Sequence, residues 1–110
     1  MQQQSLTALA SEHLEAAIAH SNGRSAHTIY GGQEHVLRQT LVALRAGTNL
    51  NEHENPGEAT LQVIQGRVTL VAGADRWNGS SGDLMFIPDS RHSLEAIEDS
   101  VVLLTMARQP

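Results

Sequence analysis

The chain has 110 residues, a formal net charge of −5 at pH 7 and no cysteine. That length fits one domain around one core, the missing cysteines exclude disulfides and thiolate metal sites, and the acidic balance argues against a nucleic acid as partner. Hydrophobic residues make up 40% of the sequence, yet Tyr30, Trp77 and Phe86 are its only aromatics, so an aliphatic core is expected.

The first twenty residues lack a basic start, and Glu12 and Glu15 interrupt their apolar stretch, so they do not read as a secretory signal. No apolar run approaches the roughly 18 residues that a membrane span needs. A soluble cytoplasmic protein without membrane partners is the expectation. Residues 5–20 carry a helical pattern, in which Leu6, Leu9, Ala10, Leu14, Ala17 and Ile18 recur at three- and four-residue steps as one apolar stripe. Ser5 is placed to cap its start, and Asn22-Gly23 to stop it. The stripe would pack on the rest of the chain or on a second subunit. A polar connector follows, through Gly31-Gly32, so residues 1–34 are read as helix and connector and residues 35–110 as the main body of one domain.

From residue 35 the text changes to short apolar runs: His35–Leu44, Ala59–Gln65, Arg67–Ala72, Leu84–Ile87, His92–Ile97 and Val101–Met106. Between them stand turn residues, among them Asn55-Pro56-Gly57, Gly73-Ala74-Asp75, Asn78-Gly79 and Gly82-Asp83. Short strands with this punctuation indicate an all-β sandwich or barrel.

Two stretches are more specific. Gly47 to Gly66 reads GTNLNEHENPGEATLQVIQG, and Gly82 to Ala96 reads GDLMFIPDSRHSLEA. In the first, His53 follows Gly47 after five residues and Gly66 closes the stretch. In the second, Pro88 follows Gly82 after five residues and His92 comes soon after. Together they resemble the two signatures of the cupin superfamily, in order and at the compact separation of its small single-domain members. The resemblance implies an all-β double-stranded β-helix, the jelly-roll barrel of RmlC-like proteins, here with a short N-terminal amphipathic helix. The glycines would supply positive φ at the strand reversals, and Pro88 would stiffen the loop before the second histidine.

In that family three histidines and a glutamate converge on one divalent metal. Matched position by position, His53 stands for the first histidine and His92 for the last, while Asn55 replaces the middle histidine and Ala59 the glutamate. Ser90 stands for a glycine, Ala96 for the terminal asparagine, and the loop before His92 is one residue shorter. Strand alternation puts Ala59, Leu61 and Val63 on one face and Glu58, Thr60 and Gln62 on the other, which sends Glu58 to solvent. A turned Glu58 would complete a triad with His53 and His92, a donor set suited to Fe or Mn, with Zn or Ni as other candidates. Without it, two imidazoles make a poor metal site, and His53, Asn55, His92 and Arg91 are read as a pocket for a small molecule. Either histidine could act as an acid or base.

Of the remaining candidates, His13, His20 and His27 read as surface residues and Arg45 as a solvated charge. His35 is read near the barrel's end, and Met85, Phe86 and Trp77 as core or interface. Three functions follow: a small-molecule binding cupin, a metal-dependent enzyme of dioxygenase, isomerase or decarboxylase type, and a sensory cupin. The single helix has no partner helix and no basic face, so direct DNA binding is not expected. The resemblance also implies a homodimer.

Overall fold

The computed structural model describes residues 2–53 and 57–107, with positions 52 and 53 described by their backbone alone. One helix, α1 (Leu6–Ala19), precedes nine strands: β1 (Arg24–Tyr30), β2 (Leu37–Leu44), β3 (Asn49–His53), β4 (Glu58–Gln65), β5 (Arg67–Ala72), β6 (Asp75–Ser80), β7 (Leu84–Phe86), β8 (His92–Ala96) and β9 (Ser100–Ala107). The strands form two antiparallel sheets, one in the order β1-β2-β9-β4-β7 and the other in the order β3-β8-β5-β6.

Alternation along each strand sorts the side chains. Val42 and Leu44 of β2, Leu61 and Val63 of β4 and Val102 of β9 turn inward from the five-stranded sheet. They meet Val68 and Leu70 of β5 and Leu94 and Ala96 of β8. Met85 is the one residue of β7 that is buried. This core contains no aromatic ring, as the composition implies. Met85 fills it, but Trp77 and Phe86 are 44% and 78% exposed. In the three-residue strand β7 only the central side chain can face inward, so Leu84 and Phe86 face out.

The outer face of the five-stranded sheet is covered by α1. Ala10, Leu14 and Ala17 pack on Leu41, Ala43, Val101 and Leu103, with Leu6, Leu9, Ile29 and Ile64 at the margins. The stripe therefore serves the chain's own sheet. Where β2 and β9 are covered on both faces, at residues 41–44 and 101–103, each carries an unbroken apolar run rather than an alternating one. Ser5 caps the helix by accepting a hydrogen bond from the Ala8 N–H at 3.2 Å. The helix stops at Ala19, before Asn22-Gly23. Arg45, at the end of β2, donates from Nη1 to the carbonyls of Ile18 and His20 at 3.1 and 3.2 Å. These are orphan acceptors of the helix C-terminus, where a cation is also favoured by the helix dipole. Arg45 is thus a tertiary cap, not a solvated charge.

Three strands carry no clear pattern in the sequence. Residues 24–30, read above as connector, are the edge strand β1; Asp75–Ser80, read as turns, is β6; and Asn49–His53 is β3. All three are outermost in their sheets. An edge strand has one neighbour, so its polar residues cost little and its apolar period is weak. The glycines behave as expected where strands reverse: Gly47, Gly66 and Gly82 have φ of 85°, 91° and 93°. A Cβ on Gly66 would also collide with the Asp99 carbonyl and the Ser100 hydroxyl. That hydroxyl is fully buried and accepts from the Arg67 N–H at 3.1 Å. It lies 2.7 Å from the Glu98 carbonyl and 3.1 Å from that of Arg67, tying the β4–β5 turn to the start of β9.

Candidate functional site

One end of the barrel gathers the residues singled out by the two motifs. The connection from β3 to β4 leaves at His53 and returns at Glu58, and that from β7 to β8 leaves after Phe86 and returns at His92. At the same end β2 begins and β9 finishes, with Leu37 paired to Ala107. The Ile87 N–H closes the row by donating to the Ala59 carbonyl at 3.1 Å.

His92 opens β8, where burial alternates so that His92, Leu94 and Ala96 face the interior and Ser93 and Glu95 do not. The ring is only 4% exposed. Its Nδ1 lies 2.8 Å from the Ser90 carbonyl. A carbonyl oxygen only accepts, so Nδ1 carries the proton in that bond, and in the neutral ring Nε2 is the basic nitrogen. Backbone anchoring of one nitrogen fixes the ring plane and directs the other, an arrangement that serves a ligand or a metal equally.

The partner of His92 across the sheet is set by an irregularity in β3. Leu50 pairs with Leu94, and in regular register position 52 would then pair with position 92. The register slips by one between Leu50 and His53, so the His53 position stands directly opposite His92. A β-bulge re-aims a strand in this way, by adding one residue on one side of a ladder.

The other predicted positions are more scattered. Asn55 and Glu54 lie outside the described residues. Glu58 is exposed and paired in regular register with Ala107, on the face opposite Ala59, Leu61 and Val63. Arg91 is exposed in the loop before His92. His35 is exposed and meets Tyr30 edge-on, with ring centroids 5.3 Å apart. His13 of α1 bonds the Ser25 hydroxyl through Nδ1 at 2.9 Å and stacks on the exposed His27 at 5.2 Å, on the helix side of the molecule. Among the described residues no group of three His, Cys, Asp or Glu could hold a metal ion. Ala59, in the slot that the family gives to a glutamate, offers only a methyl group.

One residue at this end was not anticipated from the sequence. Arg38 follows the inward alternation of β2 through Thr40, Val42 and Leu44, pairs with Met106 in β9, and Met106 in turn pairs with Ala59 in β4. Arg38, Met106 and Ala59 thus form one row across the inner face of the five-stranded sheet. The Arg38 Nε is buried and has no hydrogen-bond partner.

A double-stranded antiparallel barrel whose two motif histidine positions meet across adjacent strands at one end is the cupin fold. Solved structures bear this out. A cupin superfamily protein from Desulfitobacterium hafniense is similar with a TM-score of 0.74 at 14% identity, over 83% of each chain. An RmlC-like cupin protein from Desulfovibrio desulfuricans gives 0.67 at 22% identity, over 76% of this chain and 81% of that one. The DMSP lyase DddQ from Ruegeria pomeroyi gives 0.67 at 18% identity, over 76% of this chain but 46% of the lyase. No protein-family model matches the sequence, and no curated protein does. No helix among the described residues is long and apolar enough to cross a membrane.

Proposed function

We propose that this chain binds a small organic molecule at the histidine end of its barrel, with His92 as the principal polar contact and the His53 position beside it. The observation that carries the reading is His92 itself. This buried imidazole, its plane fixed through Nδ1, places an oriented polar ring on the inner face beside Leu94, where a small ligand entering this end would meet it. A similar fold belongs to the DMSP lyase, so catalysis has precedent in the architecture, although the architecture does not transmit the reaction.

The competing reading is a metal-dependent enzyme with a divalent ion on His53 and His92. The facing register of the two positions favours it. The donor set does not: Ala59 supplies no ligand and Glu58 belongs to the outer face, whereas catalytic metal sites usually have three protein ligands. No step is therefore assigned to a metal.

A thermal-shift screen of metabolites tests the binding reading. A hit is expected to raise the wild-type Tm and to leave His92→Ala unmoved, since ligand that binds only the folded state stabilises it by mass action. No hit on the wild type, or equal shifts in both proteins, overturns it. Elemental analysis of protein purified without a nickel column separates the two readings. Metal well below one equivalent, with no uptake of added Fe(II), Mn(II) or Zn(II), is expected; a stoichiometric ion favours the enzyme.

A further inference from the structure

The structure assigns Arg38 as the anion-recognition group of the barrel, and we infer that the small molecule is a monocarboxylate; this deepens the binding reading and rests on it. A guanidinium turned into a barrel of Leu, Val and Met needs an acceptor, because an arginine cannot shed its charge at physiological pH. Here the need is visible at one atom. The Arg38 Nε is buried without a hydrogen-bond partner. The ion pairs among the described residues, Arg67–Glu98 at 3.7 Å and Arg76–Glu95 at 2.8 Å, involve other arginines on the outer surface.

The unsatisfied atom indicates the shape of the missing partner. Nε–H and one Nη–H form the side-on edge of the guanidinium, two parallel donors whose spacing matches the two oxygens of a carboxylate. A charge count narrows the class further. On the inner face of the five-stranded sheet Arg38 is the arginine at the histidine end, since Arg24 lies opposite Leu44 at the far end of β2. One half-buried cation at this end balances one negative charge, so a monocarboxylate is favoured over a phosphate dianion, whose second charge Arg38 alone would leave uncompensated.

Placement agrees. Ala59 stands in the same inward row as Arg38, separated from it by Met106. The slot that would bring a carboxylate to the site thus holds a methyl group, which removes the side chain that could have neutralised Arg38 from within. The row and the His53–His92 pair belong to the same end of the barrel, one on each sheet. A carboxylate on Arg38 would therefore direct the rest of the ligand towards the imidazole.

All seven cationic side chains of the protein are arginines, so seven Nε–Hε signals report on every one of them. The test is a titration of the full-length wild type with sodium benzoate, followed in ¹H–¹⁵N spectra. Benzamide and inorganic phosphate are the comparators, and the Arg38 signal is assigned by its loss in Arg38→Lys. The expected result is a saturable shift of the Arg38 Nε–Hε with benzoate, none with benzamide and a weaker response to phosphate. Arg38→Lys should bind benzoate about tenfold or more weakly, because lysine lacks the two-pronged edge. No saturable shift at Arg38, or a benzoate affinity unchanged in Arg38→Lys, overturns the inference. Should the variant fold poorly, the wild-type titration still decides. If benzoate leaves Arg38 unmoved while a metabolite hit still requires His92, this inference fails and the binding reading stands. If no compound of any class binds, both fall.

Discussion

The Ser90 carbonyl and the His92 Nδ1 stand 2.8 Å apart, so the loop that follows Pro88 fixes the ring on which the site depends. One residue, Arg91, lies between them in the sequence, and the bond needs only backbone from the loop. The side chain at position 90 can therefore vary while the imidazole keeps its orientation.

From this geometry the neutral His92 ring should be the Nδ1–H form. Nitrogen-15 NMR at a pH where the ring is neutral should give Nδ1 a pyrrole-like shift and Nε2 a pyridine-like one. The reverse pattern would mean that the ring is held by some other partner, and His92 could then not present Nε2 to a ligand.

Glu58 provides a control for the site. It is exposed and directed away from the barrel interior, so Glu58→Gln should leave any ligand-induced thermal shift, and any metal uptake, as in the wild type. The stability change should stay within about 0.5 kcal/mol, as for most surface substitutions. A loss of response comparable to that of His92→Ala would place Glu58 in the site after all.

Gly66 and Gly82 separate conformational strain from collision. Both have positive φ, but a Cβ on Gly66 meets backbone and the Ser100 hydroxyl, whereas around Gly82 there is open space. Gly82→Ala should cost about 1 kcal/mol or slightly more from the left-handed backbone alone. Gly66→Ala should cost distinctly more in urea denaturation. Equal midpoints for the two variants would show that the β4–β5 turn relaxes freely.

Removing the Ser100 hydroxyl, which is itself buried, takes the acceptor from the Arg67 N–H in a partly buried turn. Ser100→Ala should lose about 1–3 kcal/mol, the cost of an unsatisfied buried donor, with an unchanged m-value. A neutral effect would indicate that water reaches the turn.

The helix should matter for stability along one stripe only. Leu14→Ala leaves a cavity against the sheet and should cost about 2–4 kcal/mol. Ile18→Ala should cost distinctly less, because Ile18 is 45% exposed and stands outside the cluster that holds Leu14. Deleting residues 1–22 uncovers Leu41, Ala43, Val101 and Leu103. Light scattering should then report self-association or unfolding; an unchanged, stable particle would mean that the sheet face is covered by something other than α1.

Much of the architecture is legible in the residue order. Positive-φ glycines at 47, 66 and 82 are a local requirement of chain reversal, and a residue type that meets it can be recognised without neighbours. The apolar runs that became β4, β5, β7, β8 and β9 agree with the observed strands to within a residue or so at their ends. Of the four outermost strands β7 was legible from its apolar run, but β1, β3 and β6 were not, because a strand with one neighbour is under weak pressure to keep an apolar period.

The site divides along the same line. The sequence by itself determined that two histidines would occupy motif positions, that alanine would stand in the carboxylate slot, and that Glu58 would face outward by alternation. Only the tertiary structure decided that a register slip between Leu50 and His53 sets His53 opposite His92. Only it decided that Arg38 turns into the barrel. The reason is physical: over residues 41–44 β2 is buried on both faces, by α1 on one side and by the second sheet on the other. Residues 41–44 of β2 are therefore apolar in both registers, and alternation alone does not tell which set of its residues points inward.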